Sequence, residues 1–124
     1  MGQQRGLILV VEDNTDIREA VCLFLEDSGF RTAPVSNGRE AIDWLHSQEA
    51  PGLILLDLTM PVMDGYQFLR VKEADPLLLD LPVVVMTALQ DCSRLLRHQV
   101  SECMAKPLST STLLDAIERS ARFA

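Results

Sequence analysis

The sequence predicts an α/β fold, a doubly wound parallel sheet with helices on both faces, and three observations carry that expectation. The runs LILVV (7–11), LILLD (53–57) and PVVVMT (82–87) are apolar at nearly every position, the pattern of strands buried on both faces. Segments with a helical period separate these runs, so strands and helices alternate along the chain. With 124 residues, 48% of them hydrophobic, the chain suffices for one domain over 1–124 with its own core.

Each element has a local reason. LILVV is the first strand. NTDIREAVCLFLEDSG follows as a helix, with Asn14 or Thr15 as cap and Gly29 as stop. Ile17, Ala20, Val21, Phe24 and Leu25 form its inward stripe. RTAPV (31–35) is a weak strand, and Pro34, which cannot donate to a ladder, assigns it to a sheet edge. NGREAIDWLHSQ predicts a second helix with Ala41, Ile42 and Leu45 inward. After LILLD, Asp64 caps a third helix whose packed face holds Phe68, Leu69 and Val71. After PVVVMT, a short helix is expected around 93–100, then a brief strand CMA (103–105). STSTLLDAIERSARFA closes the chain as a capped helix with Leu113, Leu114, Ile117 and Ala121 on one face. Right-handed crossovers restrict how five such units can be wound.

Bulk properties exclude several functions. A net charge of −7 and a pI of 4.7 disfavour a nucleic-acid face or an anionic membrane surface, both of which need clustered Lys and Arg. No apolar run is long enough to span a bilayer, and no signal peptide opens the sequence. Cys22, Cys92 and Cys103 are odd in number and lack CxxC spacing, so no disulfide framework is expected and a reducing, cytoplasmic setting fits. His46 and His98 lie on expected helices as solvated residues.

In doubly wound sheets, ligands bind beyond the carboxyl ends of the strands. The residues there are Glu12 and Asp13 after the first strand, Asp57 after the third, Thr87 after the fourth and Lys106 after the fifth. If these strands lie side by side, three carboxylates share one rim and repel one another, which a proton or a cation relieves. Carboxylate oxygens with open water positions suit Mg²⁺. A hydroxyl and an ammonium beside them suit phosphoryl oxygens, and a carboxylate can itself accept a phosphoryl group. Taken singly, Glu12 and Asp13 read as helix caps and Asp57 as a turn residue. Asp64 reads as a cap rather than a ligand.

The motifs VVEDN (10–14), LLDLTMPVMDG (55–65), VVMTA (84–88) and AKP (105–107), taken together, resemble those of response regulator receiver domains of two-component systems, over nearly the whole chain. The resemblance implies a flavodoxin-like strand order 2-1-3-4-5. It implies that Asp57 is the phosphoacceptor and that Asp13 binds Mg²⁺ directly, with Glu12 as its partner. The backbone carbonyl of Thr59 would be a further metal ligand. Lys106 would pair with the phosphoryl group, Thr87 would turn its hydroxyl toward it, and Gly65 would permit the tight turn after the phosphorylation loop. The Lys106–Pro107 bond is commonly cis in the family. The implied partners are a histidine kinase or histidine phosphotransfer protein and a downstream target or effector domain.

Two departures stand out. Receiver domains usually carry Tyr or Phe three residues before the lysine, where this chain has Cys103. The stretch from Thr87 to Lys106 is also about three residues short of the family pattern, so the helix within it is expected to be shortened or displaced. Both put the usual output face in doubt, and the loop after Thr87 is an alternative exit for the signal. Two other functions compete with the phospho-accepting switch. One is a phosphorylation-independent docking module. The other is a Mg²⁺-dependent phosphatase with an aspartate nucleophile, against which stands Thr59, where a second aspartate would be needed. Apolar Leu89 near the expected water path points to a moderate or long phosphoryl lifetime.

Overall fold

The computed structural model describes residues 5–58, 63–87, 100–105 and 109–123. Strands β1 (Leu7–Val11), β2 (Arg31–Val35), β3 (Leu53–Asp57), β4 (Val83–Thr87) and β5 (Glu102–Ala105) form one parallel sheet in the order β2-β1-β3-β4-β5. Helices α1 (Thr15–Asp27), α2 (Gly38–Ser47), α3 (Gly65–Glu73) and α4 (Thr110–Ser120) connect or follow them. The helix expected around 93–100 lies, apart from Val100, outside the described residues.

The alternation of side chains along each strand builds two cores. Leu7, Leu9, Val11, Ile54, Leu56, Val83 and Val85 meet α2 and α3 through Ala41, Ile42, Leu45, Phe68 and Leu69. Ile8, Val10, Leu53, Leu55, Val84 and Met86 meet α1 and α4 through Cys22, Leu25, Leu113, Ala116 and Ile117. All five residues of β1, β3 and β4 are buried, which is why these strands read as unbroken apolar runs. Strand β2 lies at the edge, with Pro34 paired in register to Val10 and exposed.

The helix stripes differ from expectation in detail. In α1, Ile17 and Ala20 are exposed, and Cys22 with Leu25 forms the buried face. In α3, Val71 is exposed and Lys72 is buried at 1% exposure, its Nζ donating to the Leu79 carbonyl at 2.9 Å. A turn after α3 folds back over this side chain and supplies the acceptor. Helix α4 stops at Ser120, and the tail packs against the residues just before β1 and β3. The Arg122 N–H donates to the Gly52 carbonyl at 2.9 Å. Phe123 fills space against Gly6 and Gly52 that a Cβ at either position would occupy, and its ring centroid is 5.6 Å from that of Phe30.

Candidate functional site

The polypeptide between β1 and α1 is three residues long. The Glu12 N–H donates to the Val35 carbonyl at 3.1 Å, which extends the strand direction by one residue. Asn14 is the helix cap, its Oδ1 accepting from the Ile17 N–H at 2.9 Å. Capping therefore falls to Asn14, and the two acidic residues before it are released from that role. Glu12 Oε2 accepts the Asn14 N–H at 3.2 Å.

Asp57 is the last residue of β3, 4% exposed, and Glu12 is 1% exposed. The pairing of Val11 with Leu56 brings the ends of β1 and β3 level. Glu12, Asp13 and Asp57 each offer a carboxylate oxygen, and the three atoms lie within 4.8 Å of one another. Two of these groups are buried and Asp13 is exposed, so the cluster opens to solvent on one side. Hard oxygen donors with an open side fit a small divalent cation that keeps part of its water shell. Thr87 ends β4, buried at 2% exposure. Because Asp57 pairs with Met86, Thr87 stands one residue beyond the level of Asp57.

The sequence-based set is thus brought together for Glu12, Asp13 and Asp57, with Thr87 on the neighbouring strand end. Thr59 and Lys106 lie outside the described residues, as do Leu89 and the Lys106–Pro107 bond. Asp64 is confirmed as a cap: its Oδ1 accepts from the Gln67 N–H at 2.9 Å, and Gln67 Oε1 accepts from the Asp64 N–H at 3.0 Å. Gly65 is required by close approach. A Cβ there would lie 2.6 Å from Leu58 Cα and 2.9 Å from the Asp57 carbonyl oxygen. His46 is not simply solvated, since its Nε2 lies 2.8 Å from Asp75 Oδ2.

Two features escaped sequence reasoning. Arg18 Nη1 donates to the Glu12 carbonyl at 2.8 Å and lies 3.5 Å from the Asp13 carbonyl. Its signal was a single basic residue one turn into an otherwise acidic helix start. The second is Cys103, which is disulfide-bonded and partly buried against the α2–α3 core. This corrects the expectation of unpaired cysteines: Cys22 alone among the described cysteines is free, and burial pushes its thiol pKa up.

Residues 8–118 match the family model of the response regulator receiver domain. The chain is 36% identical over 114 residues to the phosphate regulon transcriptional regulatory protein PhoB of Escherichia coli, covering 90% of this chain and 49% of that protein. It thus spans about half the length of that relative. Among solved structures, it is similar to the receiver domain of a signal transduction histidine kinase from Syntrophus aciditrophicus. The TM-score is 0.85 at 36% identity, covering 92% and 88% of the two chains. It is also similar to the receiver domain of the sensor histidine kinase PA1611 from Pseudomonas aeruginosa, solved with a magnesium ion coordinated in its active-site cleft. There the TM-score is 0.84 at 30% identity, covering 96% and 97%. With the motifs, the strand order and this match in agreement, the chain belongs to the response regulator receiver domain family.

Proposed function

We propose that the chain is a phospho-accepting switch in which Asp57 takes a phosphoryl group from a phosphohistidine donor, on a histidine kinase or a phosphotransfer protein. The observation that carries this reading is the convergence of Glu12, Asp13 and Asp57 within 4.8 Å at the carboxyl ends of two adjacent strands. Glu12, Asp13, Asp57 and the Thr59 carbonyl would hold Mg²⁺. When bound, the ion supplies positive charge against the phosphoryl oxygens and the clustered carboxylates.

A carboxylate oxygen of Asp57 attacks phosphorus, forming the acyl phosphate as the bond to the donor nitrogen breaks. The donor nitrogen keeps that electron pair. Burial of Asp57 limits the approach of bulk water to the acyl phosphate. The Thr87 hydroxyl donates to a phosphoryl oxygen, and the Lys106 ammonium pairs with another. Hydrolysis of the acyl phosphate resets the switch, so the chain turns over no substrate beyond its own phosphoryl group. Its output is a changed binding surface for a protein target or effector domain, without direct contact to nucleic acid, in a cytoplasmic setting.

A second reading, a docking module that works without phosphorylation, is favoured by one observation. Cys103 occupies the position expected of a mobile aromatic ring and is tied into a disulfide. Intact mass after incubation with acetyl phosphate and Mg²⁺ separates the two. A single phosphoryl adduct, lost in Asp57→Ala and without metal, is the expected result. Absence of the adduct in folded, Mg²⁺-binding protein would leave the docking reading in its place.

A further inference from the structure

We propose that Arg18 is a positioning residue for the cation site, holding the loop that presents Asp13; this rests on the Mg²⁺ reading above. Asp13 is exposed, and its residue belongs to neither β1 nor α1. The direction of its carboxylate therefore depends on the peptide units on either side of it. Those two units end in the Glu12 and Asp13 carbonyls, and a single nitrogen of Arg18 reaches both, at 2.8 and 3.5 Å. A second nitrogen lies 3.5 Å from Thr15 Oγ1, in the first residue of α1.

Glu12 has two anchors besides the Arg18 bond to its carbonyl. Its N–H is bonded to β2 through Val35, and its carboxylate receives the Asn14 N–H. Arg18 thus complements these anchors by holding the peptide units on either side of the exposed Asp13. It sits on α1, where its own N–H donates to the Asn14 carbonyl at 2.9 Å, so its backbone is rigid. A planar, permanently charged fork suits this work better than a lysine ammonium, because it can reach two oxygens from one fixed plane. Its donors go to main-chain and hydroxyl oxygens, so it orders the loop through the backbone rather than by occupying a carboxylate.

Positioning and plain electrostatics predict opposite signs. A cation near a cation site repels the ion, so deleting Arg18 for charge reasons alone would tighten Mg²⁺ binding. Loss of an orienting hydrogen bond next to a ligand instead weakens binding, by about tenfold at the lower end of such effects.

The test is calorimetric Mg²⁺ titration of wild type, Arg18→Met, Arg18→Lys and Asp13→Asn, with thermal melts of the metal-free proteins. The expected result is about tenfold weaker Mg²⁺ binding in Arg18→Met, partial recovery in Arg18→Lys, and metal-free melting close to wild type. Phosphorylation by acetyl phosphate should recover in Arg18→Met as Mg²⁺ is raised to saturation. Unchanged or tighter Mg²⁺ binding in a folded Arg18→Met protein overturns the positioning role alone. So does a loss of metal-free stability with affinity intact. Should Arg18→Met fail to fold, Arg18→Lys and Arg18→Gln carry the same comparison. A wild type that takes up no Mg²⁺, or an Asp13→Asn protein that binds as well as wild type, overturns the metal reading itself.

Discussion

At the scale of single residues, Lys72 shows most clearly how context overrides type. A lysine flanked by Val71 and Glu73 on an exposed helix reads as solvated surface, yet its side chain is 1% exposed. Its ammonium is retained by the Leu79 carbonyl, and desolvation pushes its pKa below the ordinary value, against the opposing pull of Glu73 and Asp80. The unfolded chain keeps its proton up to 10.5, while the folded chain releases it earlier. Stability therefore gains as pH rises through that interval, because the unfolded state binds more protons there. Denaturant titrations across the alkaline range should show this gain in wild type and its absence in Lys72→Met. Identical alkaline slopes for the two proteins would show that the lysine is hydrated in solution. Nothing in the local sequence announces this burial, since the turn that covers Lys72 is placed by packing of Leu78 into the core.

At the scale of elements, the caps decide which acidic residues belong to the site. Asn14, Asn37, Asp64 and Ser109 each accept an N–H of the first turn of their helix. Asp64 lies seven positions beyond Asp57 and could pass for a ligand, but its oxygen is committed to the capping box of α3. Asp64→Ala should therefore cost about 1 kcal/mol of stability and leave Mg²⁺ affinity as in wild type. Chemical denaturation alongside calorimetry checks both halves, and weakened metal binding would place Asp64 in the site. The element pattern itself was largely legible: every described strand and helix falls where apolar runs and helical periods predicted. Helix faces were less so. In α1 the expected stripe included Ile17, which is 39% exposed, and omitted Cys22, which is buried. A stripe wider than the contact surface leaves its orientation open, and the surface it packs on selects among the candidates. Here that surface is mainly the sheet, with Ile8, Val10 and Leu53 in the core that Cys22 and Leu25 share.

At the scale of the whole molecule, several surface ion pairs join elements distant in sequence. Arg119 binds Glu102 through two nitrogens at 3.0 and 2.7 Å, tying α4 to β5. His46 meets Asp75, tying α2 to the segment after α3. Hydrogen bonds from Arg119 hold the Glu102 pKa below its ordinary value of 4.5, and that from His46 holds Asp75 below 3.8. The unfolded chain takes up protons first, so the stabilisation is complete above these ordinary values. It is lost as pH falls through the lower folded ones. Glu102→Gln should lower stability at neutral pH by under about 1 kcal/mol, as exposed pairs do, and should flatten the acid limb of a denaturation profile. An acid limb as steep as that of wild type would remove Glu102 from the account. Where partners come from distant elements, as here, no sequence spacing reveals them.

The sequence by itself determined the alternation of strands and helices, the edge position of β2, and the residues that end each strand. Those properties are local: an unbroken apolar run is stable only when covered on both sides, and a proline is tolerated only where a ladder bond is not needed. The tertiary structure alone decided that the strand ends converge. The crossovers place β3 between β1 and β4, and only that order sets Asp57 beside Glu12 and Asp13, with Thr87 one strand away. It also decided that Arg18 turns back to the loop and that Cys103 is bonded. The convergence of Glu12 and Asp13 with Asp57 depends on distances between atoms far apart along the chain, and the Arg18 and Cys103 contacts on where side chains come to lie, which folding sets and residue type does not.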